Sequence, residues 1–201
     1  MPSSSITIVV PTYRREAVLV ETLRFLLASA PNTVAELLVV DQTEAHEPAT
    51  DSALGALHAQ GQIRWIRLSE PSIPAAMNRG LMEASSDIVL FVDDDIRPTE
   101  PLLRAHQQAH AEKQDVLVAG RVIQPWQEGE DFSKDTPFHF ATTSGRYVDE
   151  FIGCNFSVRK SSALAVGGFD ENFVKVAYRY EAEFAHRFRQ SGRSIWFEPL
   201  A

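Results

Sequence analysis

The chain has 201 residues, 44% hydrophobic and 23% charged, with 27 acidic against 19 basic side chains and a formal charge of −8. That composition suits one folded domain with its own core, and its acidity excludes a general nucleic-acid binder, which needs a basic face against phosphate. The lone Cys154 excludes an internal disulfide, and no run of about 18 apolar residues is present to cross a bilayer.

The chain therefore reads as reduced and cytoplasmic, with peripheral membrane contact as the variant of that reading. Ile6–Val10 is a β-branched run stopped by Pro11, and Leu19, Leu23, Leu26 and Leu27 then recur at helical spacing. The loop between them, Pro11-Thr12-Tyr13-Arg14-Arg15, offers backbone donors, an aromatic face and two guanidinium groups. Leu37–Val40 is a second strand ending in Asp41, which can accept from a base N–H or ribose hydroxyl, or equally close an Asx-turn over Gln42-Thr43. Residues 44–52 are polar and read as loop, Ala53–His58 as helix, and Ile63–Leu68 as a partly exposed strand.

Pro74, with Ser72 as a candidate cap, starts a helix whose apolar stripe is Met77, Leu81 and Ala84. Asn78 and Arg79 lie off that stripe, where they face either a crevice or solvent. Ile88–Val92 then runs directly into Asp93, Asp94 and Asp95. Five apolar residues bounded by turn-formers read as a strand buried on both faces, with its acids at the carboxyl end, where open α/β sheets bind ligands. Three adjacent carboxylates repel one another unless a cation or strong donors compensate. An oxygen-only donor set suits Mg²⁺ or Mn²⁺, completed by water and substrate phosphates.

Leu102, Leu103, His106 and Ala109 mark another helix; His106 and His110 have i, i+4 spacing, but Gln107 stands where a zinc protease needs Glu. Val116–Gly120 is a further strand, and Trp126–Pro137 is an acidic, turn-prone loop of the kind that orders over a ligand. Gly153–Arg159 alternates as a strand, Ser161–Val166 reads as a short helix ended by Gly167-Gly168, and Ser194–Phe197 as a last strand. Tyr180, Phe184 and Phe188 align as the core face of a final helix, while Glu183 and Arg187 form an i, i+4 pair. Glu181 sits at that helix's start, where the dipole favours an acid whatever its function. The apolar ending Pro199-Leu200-Ala201 leads one to expect a piece of a longer chain. The alternation of strands and helices predicts an α/β domain spanning 1–201, a mostly parallel, Rossmann-like sheet flanked by helices.

In ordered succession, Val9–Arg15, Val39–Asp41, Pro74–Gly80, Phe91–Asp95, Gly153–Arg159, Gly167–Glu171 and Tyr180–Arg187 resemble the family 2 glycosyltransferases, which have the GT-A fold. The resemblance implies an inverting transferase that moves a sugar from a nucleoside-diphosphate sugar to an acceptor hydroxyl, a hexosyltransferase type of enzyme, assisted by Mn²⁺ or Mg²⁺. It places Pro11, Thr12, Tyr13, Arg15, Asp41, Asn78, Asp93 and Asp94 at the donor, Asp95 on the metal as part of the DXD-like run, Asn155 in the acceptor region and Glu181 as catalytic base. The acceptor it implies is a saccharide, a lipid-linked species or a small molecule, with no nucleic acid involved. Three departures stand out: Tyr180 replaces the first member of the family's acid pair, Glu181 replaces Asp, and Met77 occupies a position where Arg is frequent. Relatives also continue past the point where this chain stops. The alternatives are a degenerate module that binds nucleotide sugar without turnover, for which Tyr180 speaks, and a sugar nucleotidyltransferase, against which the glycine-free Pro11-Thr12-Tyr13 turn speaks.

Overall fold

The strand that carries the acids is buried along its whole length. The computed structural model describes residues 5–29, 34–133, 137–174 and 177–201, and every residue of Ile88–Val92 (β4) is buried in it. In chain order the other strands are β1 (Ile6–Thr12), β2 (Val34–Asp41), β3 (Arg64–Arg67), β5 (Val116–Gly120), β6 (Arg146–Val148), β7 (Asn155–Arg159) and β8 (Ser194–Glu198). The helices are α1 (Ala17–Ser29), α2 (Pro48–Ala59), α3 (Ile73–Glu83), α4 (Leu102–Glu112), α5 (Lys160–Ala165) and α6 (Tyr180–Gln190). One sheet joins all the strands in the order β3-β2-β1-β4-β7-β5-β8-β6.

The sheet is less parallel than expected. The pairs β1·β2, β1·β4, β2·β3 and β5·β8 are parallel, but β7 runs antiparallel to both β4 and β5, and β6 antiparallel to β8. The reversal of β7 decides where the site lies. Val92, the last residue of β4, is opposite Asn155, the first of β7. The turn after β4 and the segment before β7 therefore meet at one sheet edge, and the Asp93 N–H donates to the Cys154 carbonyl at 3.3 Å.

Two apolar layers hold the sheet. Val9, Leu38, Met77, Leu81, Phe91, Phe156, Phe169, Phe184 and Phe188 fill one face, and Ile8, Val10, Leu19, Leu23, Val39, Leu54 and Leu90 fill the other. Successive strand residues alternate between these clusters, as Val9/Val10 and Leu90/Phe91 do, because side chains on a strand point alternately up and down. The first layer is aromatic: Phe91 stacks on Phe156 with centroids 5.0 Å apart, and Phe169 stacks on Phe184 at 4.5 Å. Such pairs add roughly 0.5–1.5 kcal/mol each beyond the area they bury. α3 lies close against β1, since a Cβ at Gly80 would overlap Val9. Ser72 caps α3 by accepting from the Ala75 N–H at 3.3 Å.

Several boundaries differ from the sequence expectation. α2 begins at Pro48, inside the stretch read as loop. Only Thr50 and Leu54 of α2 are buried; so narrow an apolar stripe leaves a polar sequence, while Pro48 pre-sets the first helical φ. β6 was not expected; it is three residues long and pairs on one side only. The loop expected over Trp126–Pro137 opens with a single 3₁₀ turn, Pro125–Gln127, and residues 134–136 of it lie outside the described residues. No helix among the described residues is long and apolar enough to cross a membrane.

Candidate active site

A crevice of about 1140 Å³ opens over the carboxyl ends of β1 and β4 and the start of β7. Its walls bring together Pro11, Thr12, Tyr13, Arg15, Asp93, Asp94 and Glu181, seven of the site residues singled out from sequence. Met77 also lines it. A second recess of about 710 Å³, sharing Tyr13, Gln42 and Pro71 with the first, extends toward Thr43 and Arg67.

The acidic turn is laced to the loop after β1. The Thr12 hydroxyl donates to Asp94 Oδ2 at 2.6 Å, and Arg15 Nε donates to the other oxygen, Oδ1, at 3.2 Å. Arg15 Nη2 reaches Asp95 Oδ2 at 3.0 Å. Asp94 is buried and tethered, whereas Asp95 is 43% exposed at its side chain. Asp93 has no side-chain partner of this kind. Its carboxyl is pushed up to about 6, first because protein atoms displace its water, then because Asp94, Asp95 and Glu181 repel its charge, with Arg15 offsetting part. Burial raises Asp94 too, against the lowering by Thr12 and Arg15.

Opposite stands the start of α6. Burial raises the Glu181 carboxyl above the ordinary glutamate range, while the backbone N–H groups of Glu181 and Gly153 oppose the rise. Gly153 is required by contact: a Cβ there would run into the Tyr180 hydroxyl and Glu181 Oε1. The Tyr180 phenol is pushed far up by burial and by the Glu181 and Asp93 charges. It cannot act as a base near neutral pH.

Four of the expected site residues do not line the crevice: Asp95 meets Arg15 beside it, and Asp41, Asn78 and Asn155 are held by other partners. Asp41 is fully buried; its Oδ1 accepts from the Thr43 N–H at 2.8 Å, and its Oδ2 lies 2.8 Å from His46 Nε2 and 2.9 Å from Trp65 Nε1. The Asx-turn alternative describes it. The Asn78 carboxamide forms a matched pair with the Phe169 backbone, N–H to Oδ1 and Nδ2 to C=O, both at 2.8 Å, and also reaches Glu171. It fastens α3 to the turn after α5. Asn155 takes His106 Nε2 at 2.9 Å and donates to the Arg121 carbonyl at 3.1 Å. Its neighbours Gly153 and Cys154 line the crevice instead.

His106 and His110 both meet the Ser157 hydroxyl, at 2.7 and 2.9 Å. Among the described residues no cluster of three or more His, Cys, Asp or Glu side chains is arranged around a common point. Sequence reasoning missed His46 and Trp65, which orient Asp41, and the crevice wall formed by Ile152, Tyr178 and Arg179. Gly153 was the available signal for that wall, as a glycine inside an alternating run marks a close approach.

Residues 7–169 match the glycosyl transferase family 2 profile. No curated protein matches the sequence. Among solved structures, the crystal structure of GalNAc-T7 with UDP, GalNAc and Mn²⁺ superposes with a TM-score of 0.81 at 11% identity, covering 99% of this chain and 43% of that one. The mannosyltransferase PcManGT from Pyrobaculum calidifontis, in complex with GDP-Man and Mn²⁺, gives 0.71 at 20% identity, over 98% and 55%. TarS of S. aureus gives 0.68 at 15%, over 97% and 36%. At these identities the likeness is one of fold, and the chain spans about half or less of each structure. With a GT-A sheet, the acidic turn at its carboxyl edge and a profile match over most of its length, the chain belongs to glycosyltransferase family 2.

Proposed function

We propose that this domain transfers a hexosyl group from a nucleoside-diphosphate sugar to an acceptor hydroxyl with inversion at the sugar carbon. The observation that carries the reading is the pairing, across one crevice, of Asp93 and Asp94 of the acidic turn with Glu181, whose carboxyl burial raises toward the range useful for a base. The UDP and GDP-Man of two structures of the same fold agree with a nucleoside-diphosphate donor. The recess beside Tyr13 and Thr43 has the size for a nucleoside.

The residues present fit a hard divalent cation held partly by substrate. Three consecutive carboxylates, one of them raised to about 6 first by burial and then by its neighbours' charges, form an anionic site short of positive charge. Oxygen-only donors of this kind suit an ion that completes its shell from diphosphate and water, as Mg²⁺ and Mn²⁺ do. Asp95, exposed like Asp93 and unlike the tethered Asp94, would hold it, with Asp93 beside it. When bound, the ion supplies positive charge against the leaving diphosphate.

The chain's own residues supply the rest. Thr12 and Arg15 hold Asp94 in place, which fixes the acidic turn against the β1 loop. Tyr13, 41% exposed, offers a face for the base. Glu181 accepts the acceptor proton as the hydroxyl attacks from the side opposite the diphosphate, and a single displacement inverts the centre. The test is a panel of nucleoside-diphosphate sugars scored for Mn²⁺-dependent thermal stabilisation and slow hydrolysis. The reading expects at least one donor to do both, and none to stabilise the Asp95→Asn variant.

Tyr180 favours a second reading, a module that binds the donor without turnover. A buried phenol stands where the family has an acid. Metal-dependent binding with no hydrolysis or transfer of any donor would decide for it.

A further inference from the structure

The segment that carries Glu181 also carries an aromatic ring that the proposed chemistry does not use. Tyr178 lines the crevice and is 78% exposed, although Ala177 before it and Tyr180 after it are both buried. Its two neighbours hold unusual backbone: Ala177 has φ 47° and Arg179 φ 67°, left-handed values that side chains other than glycine rarely adopt. Such geometry persists where the surroundings impose it and is found at ligand-binding segments. Here Tyr180 N–H donates to the Ala177 carbonyl at 3.1 Å, so the chain folds tightly back on itself and Tyr178 is thrown outward at the apex, three residues from Glu181.

The charges around this end select the ligand. Arg179 Nη2 is 3.2 Å from Glu150 Oε1, so the guanidinium next to Tyr178 is already matched to a carboxylate. Glu181 and Asp93 add further negative charge. An anionic acceptor would meet repulsion; an uncharged ring with an apolar face and peripheral hydroxyls would not. Tyrosine gives such a ring large, rigid contact area at small entropic cost.

The geometry points to Tyr178 as the stacking platform of an acceptor subsite for an uncharged saccharide, whose C–H face lies on the phenol ring with a hydroxyl directed at Glu181. This rests on the transferase reading, and one spectrum separates the two. The chain has four tyrosines, which occupy different places: Tyr13 at the nucleotide end, Tyr147 edge-on to Trp196, Tyr180 buried, and Tyr178 at the mouth. Protein labelled with ¹³C in the tyrosine rings, assigned by single Tyr→Phe variants, would be titrated with UDP and GDP plus Mg²⁺. It would then be titrated with cellobiose, maltose and diacetylchitobiose, and with glucuronate and glucose 6-phosphate.

The nucleotide should move Tyr13, and at least one uncharged disaccharide should move Tyr178 while the two anions leave it in place. Tyr178→Leu should weaken that disaccharide by roughly three- to tenfold, read at Tyr180, and Tyr178→Trp should keep it. A Tyr178 signal that no uncharged sugar moves, or that the anions move as strongly, overturns the subsite. A silent Tyr13 in both nucleotide titrations overturns the donor reading and leaves the sugar result standing by itself.

Discussion

Arg15 Nη2 lies 3.0 Å from Asp95 Oδ2, on the carboxylate proposed above as the metal's holder, so a bound cation and the guanidinium would compete for it. Both side chains are nearly half exposed, and an ion pair of that kind is worth about 0.2–1 kcal/mol. Arg15 is therefore free to leave Asp95 once an ion arrives and to turn its fork toward phosphate, for which its planar donors are suited.

Arg15→Gln should accordingly have opposite effects on the two ligands. Mn²⁺ alone should bind up to about fivefold tighter, because the competing cation is gone. A nucleoside diphosphate in the presence of Mn²⁺ should bind roughly tenfold or more weaker, the usual loss for a charged hydrogen bond. Calorimetry with metal alone and with nucleotide in saturating metal reads both. A parallel weakening of the two would mean that Arg15 only braces Asp94.

Metal binding should also depend on pH through Asp93. Its carboxyl titrates at about 6 against an ordinary value of 3.8, so the metal-free fold favours the protonated form. The stability this confers is present below about 3.8 and disappears as pH rises to 6, where the folded protein must carry the charge. A cation reverses the preference, since binding expels the proton. Mn²⁺ affinity should fall by up to about tenfold per pH unit below 6 and level off above it. Asp93→Asn should flatten that dependence and raise the melting temperature of the metal-free protein at pH 7.

Asp41→Ala should be costly to the fold. Three donors converge on this fully buried carboxylate, from the Thr43 backbone, His46 and Trp65. Removing it strands them, at about 1–3 kcal/mol for each donor left unpaired. Chemical denaturation should show a loss of a few kcal/mol. Nucleotide affinity should fall as a consequence, through the displaced Gln42-Thr43 turn that lines the recess. Asp41→Asn, which keeps an acceptor oxygen, should lose less of both.

The pattern of these residues explains what the sequence disclosed. β4 and its aspartates were legible because an apolar run ending in acids is a local signal, and so were the helical stripes of α3 and α6. Asp41 was legible as a strand-end acid, but its partners His46 and Trp65 lie 5 and 24 positions on, and no periodicity links them. Asn78 and Asn155 were read toward the crevice because nothing local reveals a partner 91 residues away at Phe169 or 49 away at His106. The antiparallel β7 was hidden for the same reason, since its alternation looks alike in either direction. That strand sets Gly153 and Cys154 against Asp93.

Acid should weaken the fold through the histidines behind β7. His106 is pushed down to about 4 and His110 to about 3, chiefly by burial, and His110 also by the His106 and Arg159 charges. Both folded values lie below the ordinary 6.5. Their contribution is complete above that pH and is lost as pH falls toward 4, because only the unfolded chain takes up the protons. Each depressed histidine tilts stability by about 1.4 kcal/mol per pH unit in that window. His110 Nδ1 has no hydrogen-bond partner, so His110→Met should be mild at pH 7. It should reduce the slope of unfolding free energy between pH 6.5 and 5 by about half of the histidine share.

Glu181→Gln and Asp95→Asn should separate the two ends of the reaction. Glu181 faces the crevice from the start of α6, with a Gly153 N–H holding its carboxylate and burial raising its proton affinity. Asp95 lies on the acidic turn beside Arg15. Glu181→Gln keeps the shape and the hydrogen bond from Gly153 while removing basicity, so donor affinity should be unchanged and transfer should fall by about 10²–10⁴-fold, the usual share of a general base. Asp95→Asn removes the charge that would hold the ion, so donor binding and transfer should fall together. Donor titration by calorimetry and transfer to a competent acceptor, measured on the same preparations, check both. Retained transfer in Glu181→Gln would reduce that carboxylate to a helix-start acid worth some tenths of a kcal/mol. Loss of donor affinity in the same variant would move Glu181 into the donor pocket, since a base that acts only on the acceptor hydroxyl has no contact with the nucleotide to lose.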